Sequence, residues 1–146
     1  MISLIQRVTR ARVLVDDAVV GAIDGGLLAL VGLEPGDGEA QVQRMAGRLL
    51  GYRVFADDQG RMNRSLADAG GGLLLVSQFT LAADTRSGMR PGFSTAAPPE
   101  LAEPGFNRLV ETCRRQHSGR VETGRFGAHM SVELVNDGPV TFLLRA

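Results

Sequence analysis

The sequence contains no lysine, no tryptophan and only one cysteine among its 146 residues. Its 16 basic residues are therefore all arginines, which excludes Schiff-base chemistry and a phosphate-binding loop built on lysine. Cys113 cannot form an internal disulfide, which agrees with a reducing compartment, so we expect the protein in the cytoplasm. No apolar run approaches the ~20 residues of a membrane span, and the first residues lack the features of a signal peptide, so we expect no membrane association.

Charge and motifs exclude further classes of function. Sixteen acidic residues balance the 16 arginines, so the chain has no net charge with which to attract nucleic acid. An RNA partner would therefore have to be bound through local contacts. His117 and His129 belong to no ligand motif, so we expect neither a metal site nor a cofactor. No Gly-x-Gly-x-x-Gly follows a strand and no Gly-x-Ser-x-Gly occurs, which argues against a dinucleotide site and a serine nucleophile elbow.

Apolar patterning predicts an α+β fold with a largely antiparallel, barrel-like β-sheet and two main helices, formed by residues 1–146 as a single domain. Residues 2–15 form a long predicted strand, and the turn signal Asp16-Asp17 returns the chain into a hairpin partner. The aliphatic runs at 27–33 and 73–76 are short and bounded by glycines, which is typical of buried central strands.

The remaining segments predict two helices and four further strands. Apolar residues at helical spacing predict a first helix between a cap at Asp37 and a stop at Gly51. A second helix carries Cys113 on its apolar face and should either start or bend at Pro104-Gly105. We expect strands at 52–55 and at 121–123, and a hairpin whose two arms flank a turn at residues 136–139.

Two polar stretches are candidate sites. Ser77-Gln78-Phe79-Thr80-Leu81 follows the buried strand at 73–76, where hydrogen-bonding side chains can be held rigidly. Asn136-Asp137-Gly138-Pro139-Val140-Thr141 is the second, although a Gly-Pro pair between strands is also ordinary turn chemistry. On the residues alone, both stretches could be purely structural, and no general base is evident.

The two stretches together resemble the paired signature of the D-aminoacyl-tRNA deacylases. Further segments resemble the bacterial members, and the likeness extends over the whole chain; they are 1–13, 50–53, 82–85, 88–91 and 123–126. The resemblance implies a homodimeric, metal-free esterase with a cross-subunit active site. It would cleave the ester between a D-amino acid, or glycine, and the 3′-terminal adenosine at the CCA end of tRNA.

The resemblance also assigns roles to residues. It implies that Ser77, Gln78, Phe79 and Thr80 line the substrate pocket, with the main-chain N–H groups of Phe79 and Thr80 polarising the ester carbonyl as an oxyanion hole does. A side-chain base is not needed if the neighbouring ribose 2′-OH assists the reaction. The Thr80 hydroxyl is a competing nucleophile, but no base in the sequence activates it.

Further residues complete the expected site. Gly138 and Pro139 would reach into the partner's pocket as the family's cis dipeptide, hold the α-amino group and exclude an L side chain by collision, with Arg7 as their brace. Met130 and Phe126 would form the adenosine wall. Alternatives are a related enzyme that acts on small L-aminoacyl-tRNA, a non-catalytic RNA-end binding module and a dimeric structural protein.

Overall fold

The computed structural model describes all 146 residues, as eight strands and three α-helices joined by turns and loops. In chain order these elements are β1 (Ile2–Val15), β2 (Ala18–Ile23), β3 (Gly26–Gly32), α1 (Glu39–Gly51), β4 (Phe55–Ala56), β5 (Met62–Arg64), α2 (Leu66–Ala69), β6 (Gly72–Ser77), α3 (Pro99–Gln116), β7 (Val121–Thr123) and β8 (Ser131–Arg145). None of the helices combines the length and apolar character needed to cross a membrane.

β1 organises the sheet because it is long enough to serve three antiparallel neighbours. β3 pairs with its residues 2–8 and β2 with its residues 11–15, while β8 pairs along nearly its whole length. The turn between β1 and β2 places Asp16 at φ 49° and Asp17 at φ 62°, which is the left-handed geometry that tight hairpins require. The predicted long strand and hairpin are confirmed.

The other half of the sheet is parallel, so the sheet as a whole is mixed. β6 pairs parallel with β3 and with β7, giving the order β2-β1-β3-β6-β7. The two ends of this order approach each other at Gly21, where a Cβ would lie 2.2 Å from the Thr123 carbonyl oxygen. The sheet is therefore nearly closed, and the predicted α+β, barrel-like fold class is confirmed.

The core lies on both faces of β6. Leu73 and Leu75 belong to the larger apolar cluster, which the sheet shares with α1 and α3, whereas Leu74 and Val76 belong to a second cluster on the opposite face. A strand that is covered on both sides has no polar face, which explains the unbroken aliphatic run. The residues after β6 therefore follow a strand that is buried on both faces.

The helices differ from their predicted bounds in two places. Gly38, not Asp37, is the residue before α1, and the Asp37 carboxylate instead accepts a hydrogen bond from the Glu34 N–H at 2.7 Å. α3 starts at Pro99 and continues through Pro104, so a helix start at Pro104-Gly105 is wrong. Gly105 is needed for packing, because a Cβ there would lie 2.3 Å from Leu33 Cδ2.

Two strand predictions are also wrong. The segment 52–55 is mostly irregular, and only Phe55 and Ala56 form β4. The expected hairpin around residues 136–139 is a single strand, β8, whose two halves both pair with β1. Gln6 faces Thr141 and Val8 faces Asn136, so five steps along β8 match two along β1 and three extra residues are looped out. We call residues 136–140 the β8 excursion.

Candidate active site

The first half of the candidate site is formed by residues 77–81, where the chain leaves β6; we call this segment the β6 exit. The Gln78 N–H donates to the Val31 carbonyl oxygen at 2.7 Å, and the chain then enters a 3₁₀ turn over Phe79–Ala82. The Gln78 side-chain amide donates to the Thr80 hydroxyl. The main-chain N–H groups of Phe79 and Thr80 open this turn, where the first N–H groups have no acceptor within the turn itself. Two adjacent main-chain donors therefore lie at the end of a buried strand.

A cavity of about 690 Å³ lies beside this exit. Its walls come from the β6 exit, the segment before α3 with the start of that helix, and the segment that links β7 to β8. The lining residues are mostly apolar; they are Val76, Ser77, Gln78, Phe79, Phe93, Ala96, Ala97, Pro98, Pro99, Ala102, Phe126, Gly127, Ala128, His129, Met130 and Val132. The cavity is large enough for a small-molecule fragment and offers few polar groups to orient it.

Five of the predicted pocket residues line this cavity: Ser77, Gln78, Phe79, Phe126 and Met130. Thr80 follows directly on the rim and is exposed, with its hydroxyl engaged by Gln78. The structure therefore brings together two segments that are about fifty residues apart in the sequence.

The cavity wall formed by residues 126–130 is anchored at both ends. The Phe126 ring packs against Phe106 of α3, with ring centroids 6.2 Å apart. The Met130 thioether accepts a hydrogen bond from the Arg125 N–H at 3.4 Å and packs against the second apolar cluster. Because the two anchors belong to different parts of the core, this wall is fixed relative to both α3 and the sheet.

Sequence reasoning missed several lining residues. Phe93 lies 5.2 Å, centroid to centroid, from Phe79, and both rings are about half exposed at the mouth of the cavity (45% and 55%). Pro98, Pro99 and His129 also line it. The available signal was an exposed-loop aromatic followed by a Pro-Pro pair at a helix start, which fixes the chain without indicating what it faces.

Arg7, Gly138 and Pro139 lie elsewhere, in and beneath the β8 excursion, and none of them lines the cavity of their own chain. The Arg7 guanidinium donates from Nε to the Asp137 carbonyl oxygen at 3.1 Å and from a terminal nitrogen to the Val54 carbonyl oxygen at 2.7 Å. Gly138 and Pro139 are exposed, and the peptide bond between them is cis. Arg7 thus contacts the excursion directly.

Titratable groups are sparse at the cavity. His129, which is exposed, is the only ionisable residue in its lining.

The titratable groups with shifted pKa values lie outside the lining. Burial raises the pKa of the Cys113 thiol on α3 to about 12, so this thiol stays protonated and does not act as a nucleophile. Hydrogen bonds from Arg86 hold the pKa of Asp84 well below its usual range, so that pair forms a closed ionic contact in the loop after the 3₁₀ turn. No group of three or more His, Cys, Asp or Glu side chains is placed to hold a metal ion.

Comparison with known proteins gives a consistent result. A family model described as D-Tyr-tRNA(Tyr) deacylase matches residues 4–145. A D-aminoacyl-tRNA deacylase of Xanthomonas axonopodis pv. citri (strain 306) is 75% identical over 145 residues, 99% of each chain. One of Stenotrophomonas maltophilia (strain K279a) is 77% identical, also over 99% of each chain.

Solved structures share the fold. A structure titled c-Myc DNA Unwinding Element Binding Protein has a TM-score of 0.96 and 37% identity, over 100% of this chain and 99% of its own. A probable eukaryotic D-amino acid tRNA deacylase has a TM-score of 0.84 over 99% of this chain and 98% of its own, and its 17% identity supports the fold alone.

These matches first define a class: the chain is an enzyme, a hydrolase of the deacylase fold. It belongs to the D-Tyr-tRNA(Tyr) deacylase family, whose model covers nearly its whole length. The predicted membership of the bacterial-type D-aminoacyl-tRNA deacylases is therefore confirmed.

Proposed function

We propose that this enzyme hydrolyses the ester that joins a D-amino acid, or glycine, to the 3′-terminal adenosine of tRNA. The observation that carries the proposal is the pair of adjacent main-chain N–H groups of Phe79 and Thr80, which open the 3₁₀ turn beside a largely apolar cavity of about 690 Å³. The names of the relatives at 75% and 77% identity support the substrate class. Since aminoacyl-tRNA is a cytoplasmic substrate, we propose that this single-domain enzyme acts in the cytoplasm.

The proposed mechanism uses main-chain groups. The Phe79 and Thr80 N–H groups polarise the ester carbonyl and stabilise the negative charge that develops on its oxygen. The substrate's own 2′-OH stands next to the scissile bond and gives through proximity what a side-chain base would otherwise give. This account is supported by the cavity lining, in which His129 is the only ionisable side chain. Thr80 then positions Gln78 and is not a nucleophile.

Chirality selection is proposed to come from a second copy of the chain. The β8 excursion is exposed and lies outside the cavity of its own chain, so Gly138 and Pro139 are free to enter the cavity of a partner in a homodimer. There they would hold the α-amino group and collide with an L side chain, while a D side chain or glycine fits. A rigid wall separates enantiomers better than attraction does, because overlap is penalised steeply.

The exposed apolar side chains around the excursion also favour a dimer. Tyr52 and Phe142 form a tilted aromatic pair with centroids 5.8 Å apart, and Val135, Phe142 and Leu143 of β8 are all partly or half exposed. An apolar patch of this kind beside a proposed catalytic element is typical of an interface. Sedimentation of the purified protein measures the oligomeric state directly, and a monomer would contradict the cross-subunit site.

The deciding experiment is deacylation of matched D-tyrosyl-, L-tyrosyl- and glycyl-tRNA by the purified protein, with a chelator present. We expect rapid loss of the D and glycyl esters while the L ester is spared. Cleavage of small L-aminoacyl esters instead would indicate the related enzyme with the opposite preference. Binding of the tRNA 3′ end without any cleavage would indicate a non-catalytic module and would contradict the proposal.

A further inference from the structure

We infer that Gly124 is a positioning residue that seats the Met130 thioether, and that this seat sets the shape of the cavity for the substrate. The identity of that ligand, the terminal adenosine, rests on the proposed function. Gly124 lies in the segment 123–126, and the proposed reaction gives this glycine no role.

The space around Gly124 singles out one neighbour. A Cβ at this position would lie 2.7 Å from Met130 Sδ, a distance that real Cβ atoms do not tolerate. The next neighbours, methyl groups of Val13 and Val76, would lie at 3.5 and 3.6 Å, which is ordinary contact. The φ of Gly124 is outside the left-handed region, so glycine is needed here for space and not for backbone conformation.

The backbone at Gly124 cannot shift to make room for an added methyl group. Its N–H donates to the Leu75 carbonyl oxygen at 3.0 Å, which ties it to the end of the parallel β6–β7 pairing. Leu75 belongs to a strand that is buried on both faces. Met130 is flexible and only partly buried, so the thioether is the group that moves.

A hydrogen bond also helps to position the Met130 thioether. The Arg125 N–H donates to Met130 Sδ at 3.4 Å, so the sulfur is drawn to the same backbone that leaves room for it. A thioether is a weak acceptor, and this bond therefore guides the side chain without holding it alone. Gly124 provides the space and Arg125 provides the direction.

The consequence is a specific kinetic signature. Met130 lines the cavity, whereas the donors at Phe79 and Thr80 come from a different segment and keep their places when Met130 moves. Displacing a wall residue by about the size of a methyl group should weaken binding about tenfold or more. We expect Gly124→Ala to raise KM for D-aminoacyl-tRNA by that factor and to change kcat by less than about twofold.

The first test compares Gly124→Ala with Gly47→Ala. Gly47 lies exposed in α1 with nothing within 4 Å of a Cβ, so its substitution should leave KM unchanged. The Gly124 effect should disappear in a Met130→Ala background, because the group that must move is gone. An equal rise in KM in both backgrounds, or failure of Gly124→Ala to fold with and without Met130→Ala, would overturn the inference.

A second test does not depend on activity. In protein labelled with ¹³C at the methionine methyl groups, Met130→Leu identifies the Met130 signal among the five methionines. Gly124→Ala should shift that signal and leave the signal of buried Met45 in place, even if the wild-type protein cleaves no tRNA ester. An unmoved Met130 signal would overturn the inference, whereas absent turnover with a moved signal would contradict the proposed function only.

Discussion

The β6 exit and the β8 excursion carry the two polar motifs of the chain, and they are held in opposite ways. The β6 exit continues a strand whose residues 73–76 are buried on both faces. The β8 excursion loops out of a ladder and is exposed, with Arg7 reaching it from beneath and the Asn136 side chain closing its base. The first is rigid because of the core, and the second is rigid because of a few hydrogen bonds.

This difference matches the proposed division of labour. Groups that stabilise a developing charge must be fixed before the substrate arrives, and a buried strand achieves that. In the proposed homodimer, the group that excludes the L enantiomer must reach the cavity of the partner, so it has to be exposed. Substitutions at the two places should therefore differ in kind: loss of stability at the first, and loss of selectivity at the second.

The largest expected effect is on stability, in the buried part of β6 that leads to the β6 exit. Leu75→Ala should lower the free energy of unfolding by about 2–5 kcal/mol, because Leu75 is 0% exposed and its removal leaves a cavity in the core. Leu101→Ala on α3, where the side chain is 61% exposed, should change it by less than about 0.5 kcal/mol. Urea denaturation of both variants measures this; equal losses would mean that β6 is not the rigid element.

The next effect is on selectivity, at the β8 excursion. Arg7→Ala removes the hydrogen bonds to the Asp137 and Val54 carbonyl oxygens. The ratio of D to L deacylation should fall about tenfold or more, since hydrogen bonds from a charged group contribute about 1.5–3 kcal/mol. Arg10→Ala is the matched control, because Arg10 is exposed on the same strand and forms no ion pair. An unchanged ratio in Arg7→Ala would remove the brace from the proposal.

A smaller effect is expected at the Thr80 side chain. Thr80→Ala removes the hydroxyl that Gln78 contacts but keeps the main-chain N–H, so kcat should fall less than about tenfold. Thr80→Ser keeps the hydroxyl and should behave like the wild type. If Thr80→Ala loses nearly all turnover while it still binds substrate, the hydroxyl is the nucleophile and the main-chain mechanism is wrong.

The smallest effect on activity is expected at Cys113, on the core side of the molecule. Burial raises the pKa of its thiol from an ordinary value near 9 to about 12, so iodoacetamide at pH 8.5 should label it only after unfolding. Between pH 9 and 12 the unfolded chain releases this proton while the native chain retains it, so stability should fall as pH rises. Cys113→Ala should lose that part of the pH dependence; rapid labelling of the native protein would show that the thiol is accessible.

Local signals were sufficient where the answer is local. Asp16-Asp17 marks a two-residue turn, and the aliphatic run at 73–76 marks a strand covered on both faces. The β8 excursion differs from the predicted hairpin because Gly138-Pro139 has the composition of a hairpin turn, whereas the pairing of both flanks with β1 is a long-range feature. The parallel pairing of β3 with β6 is equally non-local, since other elements separate the two strands.

The candidate site shows the same limit. The residues 77–80 follow from the end of a buried strand, but the opposite wall at 126–130 meets them only because β7 pairs with β6. The spacing of residues in the sequence does not show that these two segments are in contact. The resemblance to a known family is what indicated Phe126 and Met130 as pocket residues. Phe93, Pro98 and His129 carried no motif and were missed.

The pairing of β8 with β1 on both sides of the excursion has a consequence for how this molecule can evolve. The ladder fixes where the three extra residues begin and end, so their chemistry can change without altering the strands that flank them. Substitutions at residues 137–139 can then change what the excursion contacts, while the rest of the barrel folds as before. With the proposed role of the excursion in excluding L side chains, substrate preference can therefore diverge between descendants through residues 137–139, while the paired strands on both sides stay the same.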